Sequence, residues 1–164
     1  MLSVTFGRVQ DFAVHDINQK WPAMMPAAAS TLLRYFSATG TSPQDFDAIF
    51  TGDLGEVGTA LLNEQMAKEG LPLDNHKDCG CLLYDTNSQN VQAGGSGAGC
   101  SAAVLCGKIL SRLRRGKNPL PMLAAGQLRR VLFLATGALM SQTTFLQGES
   151  IPGIAHCVEL GGAV

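Results

Sequence analysis

The apolar run over residues 130–136 (RVLFLAT) constrains the fold more than any other part of the sequence. Between Val131 and Ala135 it contains no polar side chain. Successive side chains of a β-strand point to opposite faces of the sheet, so an unbroken apolar strand must be buried on both faces. We therefore expect this segment to lie in the middle of a sheet that helices cover on both sides.

Shorter patterns elsewhere in the chain complete the fold prediction. Strands are expected over residues 2–14, 47–51, 81–84 and 154–160, and helices over residues 27–38, 57–66 and 102–113. The helices are indicated by apolar residues three or four positions apart, and Gly40 and Gly70 end the first two. The resulting order, βαβαβαββ, predicts a single α/β domain over residues 1–164, with three αβα layers and a mostly parallel sheet.

Composition excludes several classes of protein. Hydrophobic residues make up 46% of the chain and charged residues 15%, which argues for a well-buried core and against disorder. The formal net charge is -1, and the basic residues cluster in one short stretch at residues 112–117. Nucleic acid is not expected as a partner, because binding it requires a broad basic face.

The sequence also bears on where the protein resides. No stretch approaches the roughly 18 uninterrupted apolar residues that a membrane-spanning helix needs. The first residues, MLSV, lack the charged and apolar regions of a signal peptide. We therefore expect a protein that is not secreted and has no transmembrane segment, with its five cysteines reduced.

Three stretches mix glycine, charged residues and proline in a way that composition alone does not produce. They are residues 51–58 (TGDLGEVG), residues 93–102 (AGGSGAGCSA), and residues 135–140 (ATGALM) leading into 148–156 (GESIPGIAH). In them the chain resembles the stage V sporulation protein AD family, which is similar to thiolases and ketoacyl synthases. Proteins of that superfamily are built from two similar βαβαβαββ halves, and this sequence resembles the second half.

The resemblance implies a ligand and a set of partners. The ligand is dipicolinic acid, a small aromatic dicarboxylate, alone or with calcium. The partners are the N-terminal thiolase-like half, other stage V sporulation membrane proteins and a second copy in a homodimer. The implied location is the cytoplasm or the periphery of the spore inner membrane. No cofactor is implied.

The resemblance also implies that the catalytic groups are missing. The nucleophilic cysteine of the superfamily belongs to the first half. The second half normally supplies a His or Asn, here replaced in the turn at residues 51–53 around Gly52, and a His in a Gly-His-Pro-x-Gly loop, here replaced by Gly94. A second cysteine of thiolases aligns with residues 148–150 and is also absent. Because glycine can neither accept a proton nor stabilise an oxyanion through a side chain, we expect no catalytic residue and no acyl transfer.

A glycine-rich loop is the main candidate for ligand binding. Residues 94–99 precede a helix, so the backbone N–H groups of Gly94, Gly95, Ser96 and Gly97 can converge on an anion. The alternative is that the glycines only allow the turn to approach a neighbouring helix closely. If the loop is the site, Gly95→Val is expected to block it without disturbing the core.

Three further polar residues are candidates around the same ligand. Glu149 and Ser150 precede the last strand and are expected near the loop, with calcium between Glu149 and a dianionic ligand. Their alternative is an ordinary solvated turn. Asp53 is a candidate ligand for a cation or a hydroxyl, although its position before a helix favours an N-cap.

Two patterns containing cysteine are interpreted as structural. His76, Cys79 and Cys81 form His-x-x-Cys-x-Cys, which lacks the four suitably spaced ligands of a zinc site, so no metal site is predicted. Cys100 falls in a first helical turn, where the dipole can lower a thiol pKa, but we interpret it as a packing residue.

Two other functions remain open at this point. One is an acyltransferase whose nucleophile lies in the first half, while this half only lines the pocket. The other is an assembly module, since thiolase-fold proteins pair through central strands. The sequence of the first half discriminates the enzyme from the binding protein, because an activated cysteine there would restore catalysis.

Overall fold

The computed structural model describes residues 1–85, 88–113 and 128–161. These residues form a five-stranded sheet in the order β1-β5-β4-β2-β3. The strands are β1 (Ser3–Thr5), β2 (Ala48–Thr51), β3 (His76–Asp78), β4 (Arg130–Ala138) and β5 (Gly153–Gly161). β2 pairs in parallel with β3 and with β4, whereas β5 pairs antiparallel with β4 and with β1.

Helices cover both faces of the sheet, as a three-layer αβα arrangement requires. On one face lie α1 (Trp21–Thr39) and α2 (Gly55–Lys68), which pack against β2, β4 and β5. On the other lie α3 (Cys79–Leu83) and α4 (Ala98–Val104), continued by a π-helical turn (Leu105–Ile109) and α5 (Leu110–Leu113). A short helix, α6 (Gln142–Leu146), connects β4 to β5.

The central strand confirms the strongest prediction from the sequence. Leu132 and Leu134 of β4 join the core beneath α1, and Val131 and Phe133 join the core beneath α4 and α5. All four are buried. The two predicted helix ends near Gly40 and Gly70 are also confirmed, and both glycines adopt positive φ (66° and 77°).

One predicted strand is wrong, and the first predicted strand is longer than the observed one. Residues 81–84 belong to helix α3 and the coil that follows it, and the third strand is the polar segment His76–Asp78 at the sheet edge. The first strand ends at Thr5 instead of reaching residue 14. Gly7 then lies so close to β5 that a Cβ there would be 2.0 Å from the Ala155 carbonyl oxygen, and beyond it only Gln10 forms a bridge, with Gly153.

The sheet is mixed rather than mostly parallel. The chain returns from β4 through α6 and β5 runs back beside β4, so half of the four pairings are antiparallel. Of the basic stretch at residues 112–117, Arg112 lies in α5, while Arg114 and Arg115 lie outside the described residues. Within the described ranges, no helix combines the length and apolar character that crossing a membrane requires.

Candidate functional site

Asp78 organises the turns at the carboxyl ends of β2 and β3, and it is 1% exposed. Its carboxylate accepts hydrogen bonds from the N–H groups of Leu54 (2.9 Å), Gly55 (3.0 Å) and Gly80 (2.9 Å) and from the Thr51 hydroxyl (2.6 Å). Burial raises the pKa of Asp78, and these hydrogen bonds oppose the rise because they stabilise the charged form. One carboxylate therefore caps the first turns of both α2 and α3.

His76 extends the same polar network away from Asp78. Its Nε2 lies 2.9 Å from the Thr51 hydroxyl and its Nδ1 lies 2.7 Å from the Asn63 side-chain oxygen. Burial lowers the pKa of His76 to about 4, so the ring is neutral at pH 7. Both nitrogens are engaged by protein groups. Among the described residues, no group of three or more His, Cys, Asp or Glu side chains could hold a metal ion.

Asp53 connects three parts of the chain rather than capping the helix that follows it. Its carboxylate accepts from the Gly97 N–H (2.7 Å) and the Thr136 hydroxyl (3.0 Å), with the Ser96 hydroxyl further away at 3.4 Å. The N-cap prediction for Asp53 on α2 is therefore wrong, since Asp78 performs that role. Asp53 instead joins the turn after β2 to the start of α4 and to β4.

The glycine-rich loop uses its backbone donors mostly within the protein. The N–H of Gly94 donates to the Val91 carbonyl (3.1 Å), that of Gly95 to the Gly80 carbonyl (2.9 Å), and that of Gly97 to Asp53 (2.7 Å). The predicted helix after the loop is confirmed, but it begins at Ala98, with Gly97 as the N-cap, rather than at residue 102. An incoming anion would have to compete with these three bonds, so the loop is a weaker anion site than its sequence predicts.

Close packing explains why the loop needs glycine. At Gly94 (φ +110°) a Cβ would lie 2.6 Å from the Gly80 carbonyl oxygen, and at Gly95 it would lie 2.8 Å from Cys100 Sγ and 3.0 Å from a Leu83 methyl. Contacts under about 3 Å cannot form without movement of the neighbour. The expectation that Gly95→Val spares the core is therefore wrong.

A cavity of about 250 Å³ lies between the start of α1, the turn after β2 and the glycine-rich loop. Its lining includes Lys20, Trp21, Asp53, Gly94, Gly95 and Ser96. Four of the predicted site residues are thus brought together around one space, and Gly97 adjoins it through Asp53. This volume is slightly below the range of about 300–1,000 Å³ typical of sites for drug-sized ligands, so it suits a small molecule.

Glu149 and Ser150 do not line this cavity. The Ser150 hydroxyl donates to the Asp11 carboxylate, and the Glu149 N–H donates to the Thr144 carbonyl (3.0 Å). The Ile151 N–H donates to the Val14 carbonyl (2.7 Å), and this hydrogen bond holds the turn against the N-terminal segment. The turn lies at the expected end of the sheet, where β2 and β4 finish. It adjoins β5, however, so β4 separates it from β2.

Lys20 and Trp21 line the cavity but belong to none of the motifs in the sequence. Both are half-buried and bring a cation and an aromatic ring to the cavity. Their signal in the sequence is slight: Trp21 is the only tryptophan of the chain, and it directly precedes the proline that opens α1.

Cys100 lies behind the glycine-rich loop and packs with Val104 in the core of the second face. Burial raises the pKa of its thiol, and the nearby Asp53 and Asp78 carboxylates raise it further. A thiol in these surroundings is a poor nucleophile at neutral pH.

Comparison with known proteins supplies a family. A family model described as stage V sporulation protein AD matches residues 1–161. The stage V sporulation protein AD of Bacillus subtilis (strain 168) is 42% identical over 165 residues, which cover 98% of this chain and 46% of that relative. The chain thus spans about half the length of the curated relative it matches.

Proposed function

This chain belongs to the stage V sporulation protein AD family, and from that premise we propose that it is a non-catalytic, ligand-holding domain of the sporulation machinery. We propose dipicolinate, with calcium as a companion, as the ligand. The cavity beside Lys20, Trp21 and Asp53 is the observation that carries this proposal.

The lining of the cavity matches the chemistry of a flat aromatic dicarboxylate. Lys20 offers a positive charge to one carboxylate, and the Ser96 hydroxyl, whose contact with Asp53 is long at 3.4 Å, offers a hydrogen bond. Trp21 presents an aromatic surface, and stacked aromatic rings attract each other by about 0.5–1.5 kcal/mol beyond their buried area. The Asp53 carboxylate would repel a dianionic ligand. A calcium ion bound between Asp53 and a carboxylate of the ligand removes this repulsion.

The same geometry argues against acyl transfer. Gly94, the residue that aligns with the histidine of Gly-His-Pro-x-Gly loops, has a Cβ position only 2.6 Å from a backbone oxygen. No side chain fits there unless the loop moves, so this half has no room for the missing proton acceptor. A protein that binds its ligand without transforming it needs no such group.

Exposed apolar residues support a partner domain. Leu139, Met140, Phe145 and Leu146 are 38–82% exposed, and α6 has no buried residue. A patch of this kind is typical of an interface. Because the chain covers 46% of its relative, we propose that the patch contacts a domain equivalent to the remainder, with homodimerisation as a further expectation. The isolated chain should self-associate at high micromolar concentration, and a strictly monomeric species in light scattering would count against this contact.

Isothermal calorimetry with dipicolinate, with and without calcium, tests the function. Binding should be stronger with calcium and should weaken about 10-fold in Lys20→Gln, the equivalent of one charge-assisted hydrogen bond. Lys68→Gln is the matched control, because Lys68 is an exposed lysine paired with Glu64 on α2. The affinity of the longer relative should exceed that of this chain. If the relative shows no heat with dipicolinate under either condition, the proposal is wrong.

A further inference from the structure

A second cavity, on the face of the sheet that α3, α4 and α5 cover, is lined by an unusual concentration of positive charge. Its volume is about 230 Å³, and it lies between the edge of the sheet, α3 and the π-helical turn. Among the residues that the structure describes, its lining consists of Phe50, Lys77, Leu82, Gly107, Lys108, Ile109 and Arg112. Three of these residues carry a positive charge and none carries a negative one, in a chain whose net charge is -1.

The fold brings the three cations together from separate segments. Lys77 lies on the edge strand β3, in register with Phe50 of β2. Lys108 belongs to the π-helical turn, and its ammonium group donates a hydrogen bond to the Leu82 carbonyl. Arg112 follows one turn later in α5. Single π-helical turns occur frequently at functional sites, where the added residue redirects side chains.

Arg112 adds an observation independent of the charges. Its Nε is buried, and no group in the described part of the chain accepts a hydrogen bond from it. A buried donor of a charged group without a partner is costly, and a guanidinium is satisfied best by the two oxygens of a carboxylate or phosphate. Gly107 contributes no side chain to the wall, is exposed, and has no atom within 4 Å of its Cβ position, so this side of the cavity is open.

We propose that this cavity binds a small anionic ligand through a phosphate or carboxylate group, with Arg112 as the bidentate donor and Lys77 and Lys108 as flanking charges. The buried Phe50 and Ile109 form an apolar floor, which suits the carbon skeleton of such a ligand. This site is separate from the cavity at Lys20 and does not depend on the function proposed there.

Calorimetric titrations of the 164-residue chain with inorganic phosphate and with malonate test the site, and the tighter probe identifies the preferred group. Saturable binding should weaken about 10-fold in Arg112→Gln and about threefold in Lys77→Gln. Lys68→Gln removes one charge elsewhere and should leave the affinity unchanged. If Arg112→Gln does not fold, judged by its circular dichroism, the exposed Lys77 decides alone. Absence of saturable binding of either probe would overturn the proposal, as would equal losses in Lys77→Gln and Lys68→Gln.

Discussion

Asp53 and Asp78 are both aspartates that close turns beside α2, yet they differ in what surrounds them. Asp78 is enclosed by three backbone N–H groups and a hydroxyl, which together determine where two helices begin. Asp53 is also bonded to the protein, but it borders a cavity and is 8% exposed. The contrast indicates that a fully bonded carboxylate maintains the fold, whereas one at a cavity wall can also face a ligand.

Replacing Asp78 should have the largest effect. Asp78→Ala leaves several buried donors without a partner, and we expect a loss of about 3–4 kcal/mol in the free energy of unfolding. Urea denaturation followed by circular dichroism measures it. Asp74→Ala, at an exposed position four residues earlier, is the control and should change stability by no more than about 0.5 kcal/mol. Similar losses in both variants would contradict the central role of Asp78.

Acid should weaken the network around Asp78 through His76. The pKa of His76 is about 4 in the folded chain, below its ordinary value of 6.5, so the unfolded chain takes up the proton first as the pH falls. The free energy of unfolding is therefore highest above pH 6.5. It falls by up to about 3 kcal/mol as the pH decreases from 6.5 to 4. Urea midpoints across this range should show the slope in the native chain and in His15→Gln, an exposed histidine, and a clearly smaller slope in His76→Gln. The same slope in all three would exclude His76 as its source.

Replacing Asp53 should cost less stability but change ligand binding. Asp53→Asn retains one acceptor oxygen, so we expect a loss of about 1–2 kcal/mol in the free energy of unfolding. The calcium dependence of dipicolinate binding should disappear, because the neutral amide no longer supplies a charged oxygen to the ion. Paired urea and calorimetry measurements separate the two effects. A destabilisation as large as that of Asp78→Ala would remove the distinction between the two aspartates.

Most of the fold follows from local patterns in the sequence. β4 and the three long helical segments were predicted because an unbroken apolar run and a helical spacing are visible in one stretch of chain. β3 was missed because His76, Lys77 and Asp78 are polar, as an edge strand allows. The neighbouring apolar run at residues 81–83 predicts a strand, whereas its leucines pack from a helix onto the second face.

The candidate site was less predictable because it depends on contacts between distant segments. The sequence predicts the glycine-rich loop correctly. Its hydrogen bond to Asp53, however, joins residues 44 positions apart, so no local sequence pattern indicates it. Ser150 is predicted near the loop because it precedes the last strand, and ligands in such sheets bind where the strands end. The order of strands along that edge, which only the three-dimensional structure gives, separates them.

The position of the ligand is the most direct test of the account. Trp21 is the only tryptophan, so its indole N–H gives one isolated peak in a ¹H–¹⁵N spectrum of the chain. We expect that peak to shift progressively as calcium and dipicolinate are added, together with the backbone peak of Ser96, while glycines distant from the cavity remain in place. An unmoved indole peak alongside shifts confined to the turn at residues 148–153 would contradict the proposed site.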